Sequence, residues 1–200
     1  MKHLILASQS PRRKELLAQL GYEFITQAAD IDESIHVKEV AVDYVQRLAK
    51  EKAMAVFSQL SSEQQKNNIV LGSDTTVVIE GDILGKPACE ADCISTLMRL
   101  SNNLHHVFTA VAVVSHEKIE STVVGTSVQF AALTTDEIKR YWLTGEPCDK
   151  AGSYAIQGIG GQFVTTIKGS YSAVVGLPLF ETAQLLGQFG LPSSIQKCAG

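Results

Sequence analysis

The run His3 to Ala7 is apolar, and it ends at a short polar segment, Ser8-Gln9-Ser10, before Pro11 opens a helical pattern. A buried strand that feeds within a few residues into a helix is the strongest constraint on this chain, because it argues for a fold in which helices cover a sheet. Serine at the N-cap and proline at the first helical position are preferred because that first turn has no intrahelical use for the proline's missing N–H. Leu16, Leu17 and Leu20 give the helix one apolar face, and Gly21 suits its C-terminal cap. Glu23 to Thr26 reads as a second strand.

The remaining elements continue the alternation. Val37 to Leu60 is expected to be a long amphipathic helix with Val37, Ala41, Tyr44, Val45, Leu48 and Val56 on its apolar face. Ile69 to Gly72 and Thr75 to Ile79 read as separate strands broken by Gly72-Ser73-Asp74, and Glu80-Gly81-Asp82 turns the second into a hairpin with Ile83-Leu84. Glu90 to Leu100 reads as a helix, Val107 to Ser115 and Ser121 to Leu133 as long strands, and Thr134 to Leu143 as a helix with acids in its first turn. Gly152 to Ile156 and Phe163 to Ile167 are expected to be short strands flanking a glycine-rich loop, and Pro178 to Phe189 a closing helix. Hairpins inside a strand–helix alternation imply a mixed sheet with flanking helices. Residues 1–191 are expected to form a single domain, and 192–200 a mobile tail.

Composition narrows the function classes. The chain has 200 residues, 45% hydrophobic and 19% charged, with a formal charge of −4. That supports a full core and argues against a nucleic-acid-coating role, which needs a basic surface. No apolar run approaches the ~20 residues of a membrane span, and the N-terminal apolar stretch is short of a secretion signal. The four cysteines, Cys89, Cys93, Cys148 and Cys198, form no CxxC pair, so they read as reduced thiols of a cytosolic protein. His105 and His106 are adjacent and would face opposite sides of a strand, so they form no metal set.

Four places could carry chemistry. Ser8, Ser10, Arg12 and Arg13 surround a helix N-terminus, where N–H groups favour an anion; this is either a phosphate cradle or a plain cap with solvated arginines. Lys52 lies amid the apolar face of the long helix, either snorkelling or serving as a cation beside a ligand. Asp74, between two apolar strands, is either a turn residue bonded to its own backbone or a carboxylate for a hard cation or for water; the hairpin then carries Lys86. Gln157, in a glycine-rich segment, presents a donor and an acceptor together, which suits a base edge, and Glu33 is a loop acid open to a metal role.

These segments, Leu6-Ala7-Ser8-Gln9-Ser10-Pro11-Arg12-Arg13, Leu71-Gly72-Ser73-Asp74-Thr75, Leu84-Gly85-Lys86-Pro87, Asp149 to Gly158, and Gly169-Ser170-Tyr171 with Val175-Gly176-Leu177-Pro178, closely resemble the Maf family of nucleoside triphosphate pyrophosphatases. The resemblance implies an α/β fold with a mixed twisted sheet and two lobes around a central cleft, similar to inosine-triphosphate pyrophosphatases. It implies hydrolysis of a nucleoside triphosphate to monophosphate and diphosphate with a divalent metal, Mg²⁺ or Mn²⁺. Asp74 matches the family's proton acceptor; Ser8, Ser10, Arg13, Glu33, Lys52 and Lys86 match its phosphate- and metal-handling positions, with Asp74 and Glu33 as the metal carboxylates. Arg12, Thr75 and Gln157 match the dTTP/UTP type, whereas the 7-methyl-GTP type resembles an aromatic, Gln and Glu there. Gln9 stands where a small Gly often does. A 7-methyl-GTP-type enzyme and a non-catalytic nucleotide-binding regulator of cell division are the alternative readings. The expected partner is a nucleotide, without nucleic acid or membrane, and a homodimer is left open.

Overall fold

The computed structural model describes residues 2–195. Seven strands form one mixed sheet: β1 (His3–Leu6), β2 (Phe24–Thr26), β3 (Asn68–Ile79), β4 (Asp82–Leu84), β5 (Leu104–Val114), β6 (Ile119–Phe130) and β7 (Val164–Lys168). They pair in the order β2-β1-β3-β5-β6-β7, with β4 on β3. The β1 strand runs parallel to β2 and β3, whereas β4 on β3 and β7 on β6 are antiparallel, as the alternation with hairpins required. The helices are α1 (Pro11–Gln19), α2 (Ala41–Ser58), α3 (Ser62–Asn67), α4 (Glu90–Leu100), α5 (Thr135–Trp142), α6 (Tyr171–Val175) and α7 (Leu179–Gln188), and three 3₁₀ turns lie between α5 and β7.

The chain divides into two compact units. The first takes residues up to Asp74, Thr109–Val124 and the chain from Gly176; the second takes Thr75–Phe108 and Gly125–Val175. In the first, Ile5, Ala7 and Val70 from β1 and β3 bury against Ala53, Val56 and Phe57 of α2, which puts the apolar stripe of that helix on the sheet. In the second, Leu97 and Leu100 of α4 and Ile138 and Tyr141 of α5 enclose Val107, Val128 and Phe130 of the strands. His105 is buried in this core with its Nε2 2.8 Å from the Tyr154 hydroxyl, while His106 is exposed, so the two do face opposite sides.

Several expected boundaries are corrected. Helix α2 begins at Ala41 rather than Val37, because Lys38 takes a left-handed φ of 62° and Val40 is extended; Val37 is left 93% exposed. Gly72-Ser73-Asp74 does not break a strand: β3 runs through it, because each polar group finds a partner described below. The expected strand Gly152 to Ile156 is a 3₁₀ turn, Ala151–Ser153, followed by irregular chain, since Gly152 and Ser153 hold φ of 69° and 61°. Helix α3 occupies a stretch after Leu60 for which no element was expected, and has a full capping box between Ser61 and Gln64. Of the expected mobile tail, Ser193 is buried and the Ser194 amide donates to the Leu20 carbonyl at 3.4 Å, while residues 196–200 lie outside the described residues.

Candidate functional site

In the first unit the site begins with a missing side chain. A Cβ on Gly72 would lie 2.8 Å from the Ala53 amide nitrogen and closer still to the Ala49 carbonyl oxygen, so only glycine lets α2 approach β3 this closely. Lys52, on that helix next to Ala53, therefore reaches the strand two residues on, where its Nζ lies 2.6 Å from Asp74 Oδ1. The same Nζ lies 2.7 Å from Glu33 Oε1. Lys52 and Asp74 are both buried, and Glu33 is exposed. The lysine amid apolar neighbours is thus neither snorkelling nor solvated; it is the hub of a two-carboxylate cluster. Asp74 in turn is a mid-strand carboxylate paired with a cation rather than a turn residue.

The opening helix is tied to the same strand through one carbonyl. Arg13 Nε donates to the Gly176 oxygen at 2.9 Å, and the Ser73 hydroxyl donates to it at 3.1 Å. Burial pulls the Arg13 pKa below its ordinary value, opposed by the carboxylates of Asp74 and Glu33 and reinforced by the neighbouring Arg12 charge. That coupling places Arg12, Arg13, Glu33 and Asp74 in one electrostatic neighbourhood. Ser8, buried just beyond β1, accepts a hydrogen bond on its hydroxyl from the Ser10 amide at 3.2 Å. Ser10 sits at the N-cap of α1 but its side chain does not cap the helix, so that hydroxyl is not consumed in holding the first turn.

The loop that carries Glu33 is fastened by residues the sequence did not mark. Arg47 Nε lies 2.6 Å from Glu39 Oε1, and its Nη2 donates to Glu39 Oε2 at 2.8 Å and to the Ser34 carbonyl at 2.9 Å. The Tyr44 hydroxyl donates to the Glu33 carbonyl at 2.9 Å, and the Arg47 guanidinium stacks over the Tyr44 ring. The Arg47 hydrogen bonds hold the Glu39 carboxyl down at about 2. Burial first, then the Asp74 and Glu33 charges, pushes the Tyr44 phenol up. The available signal was the Arg47–Glu51 spacing on α2, an (i, i+4) pair that forms at 3.0 Å; the partner on the preceding loop had none.

The second unit holds the other expected residues. Thr75 is half-buried and follows Asp74 directly in β3. Lys86 follows the β3–β4 hairpin, is exposed and makes no ion pair among the described residues. The hairpin end is pinned by the Gly152 amide, which donates to the Gly85 carbonyl at 3.1 Å. Gln157 is exposed in a turn closed by the Gly158 amide on the Ala155 carbonyl at 3.2 Å. A second residue the sequence left unmarked, Glu146, accepts from the Ile159 amide at 2.8 Å, the Gly160 amide at 2.9 Å and the Tyr141 hydroxyl at 2.7 Å. Burial opposes its charge, but those bonds and the Lys150 charge prevail and hold its carboxyl below the usual range.

Asp74 and Glu33 carry hard carboxylate oxygens, the donor type a small divalent cation takes, and both contact the Lys52 ammonium, at 2.6 and 2.7 Å. No group of three or more His, Cys, Asp and Glu side chains is placed to hold a metal among the described residues.

In the first unit a lysine of α2 joins a carboxylate of β3 to one on the Glu33 loop, and Arg13 of α1 shares the Gly176 carbonyl with Ser73 of the same strand. The chain belongs to the Maf-like protein family, whose pattern matches residues 3–189. It is 62% identical to the dTTP/UTP pyrophosphatase of Colwellia psychrerythraea over 96% of this chain and 91% of the relative. It is 59% identical to the dTTP/UTP pyrophosphatase of Pseudoalteromonas atlantica over 94% and 97% respectively. The Staphylococcus aureus Ham1 protein aligns over 65% of this chain and 72% of its own at a TM-score of 0.44 and 13% identity, too distant a likeness to carry an argument. Among the described residues no helix is long and apolar enough to cross a membrane.

Proposed function

We propose that the chain is a nucleoside triphosphate pyrophosphatase that hydrolyses dTTP and UTP to the monophosphate and diphosphate. The carrying observation is the bridge from Lys52 Nζ to both Asp74 and Glu33, which supplies cation and acid at one point. The names of the relatives at 62% and 59% identity support the reading, and Arg12, Thr75 and Gln157 support the pyrimidine preference.

In the proposed mechanism Arg13, Lys52 and Lys86 neutralise phosphate charge, and the hydroxyls of Ser8 and Ser10 donate to phosphate oxygens. Asp74, oriented by Lys52, takes a proton from the water that attacks the α-phosphorus. The new bond joins water oxygen to the α-phosphorus, the α–β anhydride bond breaks, and diphosphate leaves with the electron pair. Gln157 pairs its amide with the pyrimidine edge, and Arg12 and Thr75 complete base selection. Asp74 and Glu33 would hold Mg²⁺ or Mn²⁺, which when bound neutralises phosphate charge and polarises the anhydride. Action on free nucleotides, with no nucleic acid and in the cytosol, completes the proposal.

A panel of nucleoside triphosphates, with and without Mg²⁺ or Mn²⁺, tests it. Monophosphate and diphosphate should appear in equal amounts, fastest from dTTP and UTP. Release of orthophosphate, or tight binding without turnover, overturns it.

A further inference from the structure

Tyr141 and Glu146 clamp one turn of chain at both ends. The Tyr141 hydroxyl accepts from the Ala155 amide at 3.2 Å and donates to Glu146 Oε1 at 2.7 Å. Glu146 then accepts the Ile159 and Gly160 amides. Ala155 opens the turn that displays Gln157, and Gly158 closes it. The fit is tight: a Cβ on Gly158 would lie 2.6 Å from Glu146 Cδ, and one on Gly160 would lie 2.6 Å from the Tyr141 oxygen. The Tyr141 ring is buried, edge-on to Phe163 at 5.0 Å, so α5 supplies a rigid post for the clamp. The Gln157 side chain, by contrast, makes no hydrogen bond among the described residues and is exposed.

We propose that Tyr141 and Glu146 are the positioning residues for base selection: they fix the turn so that the Gln157 amide meets a pyrimidine edge in one orientation. The inference rests on the hydrolase reading above and deepens it. An exposed amide on a loose turn would lose its preference among pyrimidines, since it can present either its oxygen or its nitrogen to the base. Holding both ends of the turn removes that freedom before substrate arrives. Neither clamp residue needs to touch the nucleotide, so their effect should fall on binding and selectivity rather than on the chemical step.

The test uses the full chain with Tyr141→Phe, which keeps the buried ring and deletes the shared hydroxyl, and Glu146→Gln as the second variant. Both are assayed on UTP, CTP and inorganic tripolyphosphate, a probe with no base. With one or two hydrogen bonds lost, KM for UTP should rise about 3- to 10-fold and the UTP-over-CTP preference should fall by a similar factor. The kcat for UTP and any tripolyphosphate cleavage should change less than about 2-fold. Gln157→Ala should reproduce the KM change, and combining it with Tyr141→Phe should add little, because the two act as one unit. Amide exchange at Ile159 and Gly160 should accelerate in both clamp variants. Faster exchange with unchanged KM and selectivity overturns the positioning role, as does an equal fall in kcat on all three substrates. An unsubstituted chain that turns over no triphosphate overturns the hydrolase reading itself, which is a separate result.

Discussion

Gly72→Ala is the sharpest perturbation of the first unit. The added Cβ would sit 2.8 Å from the Ala53 nitrogen, 3.0 Å from the Ala53 Cβ and nearer still to the Ala49 carbonyl. Carbon atoms settle at roughly 3.5–4.0 Å, so α2 must retreat from β3 by about 1 Å. The neighbours in the way are helix backbone, which cannot swing aside as a side chain can. Such overpacking costs about 1–3 kcal/mol. The same retreat stretches the 2.6 Å contact between Lys52 and Asp74 toward the limit of a hydrogen bond. Weakening this charge-assisted bond without breaking it adds about 1 kcal/mol to the loss. The expected total is about 2–4 kcal/mol, which lowers the thermal midpoint by roughly 5–15 °C for a chain of this size. Urea and thermal unfolding measure it, alongside turnover of dTTP, which should fall at least about 10-fold as Lys52 leaves Asp74. Gly85→Ala is the control, since an added Cβ there meets nothing within 4 Å. If Gly72→Ala unfolds like the control and keeps full turnover, the account of how α2 and β3 build the site is wrong.

Asp74→Asn should lower turnover by ~10²-fold or more while nucleotide binding persists, and near-normal turnover removes Asp74 from the mechanism. His105 is buried as a neutral ring with its pKa depressed to about 4, chiefly by burial and then by His106, against an ordinary 6.5. Below pH 6.5 the unfolded chain gains a proton that the folded chain does not. The stability contribution is therefore whole above 6.5 and lost as pH falls toward 4, by up to about 3 kcal/mol. Unfolding midpoints from pH 7 to 4.5 should show that slope, and His105→Gln should flatten it; an unchanged slope assigns the pH dependence elsewhere. Arg47→Gln should free the segment around Ser34 and speed its amide exchange about 10-fold, and unchanged exchange there means Arg47 does not fasten the Glu33 loop.

The parts of this protein that were readable from sequence are those where local chemistry and tertiary use agree. Pro11 marks the start of α1 because its fixed φ suits a first helical turn whatever surrounds it, although the Ser10 side chain makes no cap, and Asp74 and Lys52 stand out because each breaks an apolar pattern. The reading failed where a distant partner reverses a local preference. Gly72-Ser73-Asp74 reads as a break because glycine and aspartate disfavour strands. In the fold Ser73 is satisfied by Gly176, Asp74 by Lys52, and the glycine is needed for helix approach, so the strand continues. Gly152 to Ile156 erred the other way: it reads as a short strand beside a glycine-rich loop, but the left-handed pair Gly152 and Ser153 forbids one. Glu146 and Arg47 were hidden because their meaning lies in backbone groups they bind, which carry no sequence identity.

The central claim is that water attacks the α-phosphorus of a pyrimidine nucleoside triphosphate. Turnover of dTTP in ¹⁸O-labelled water, read by mass spectrometry, tests it most directly. The account requires one ¹⁸O in each dTMP and none in the diphosphate. Label in the diphosphate would place the attack on the β-phosphorus and contradict it.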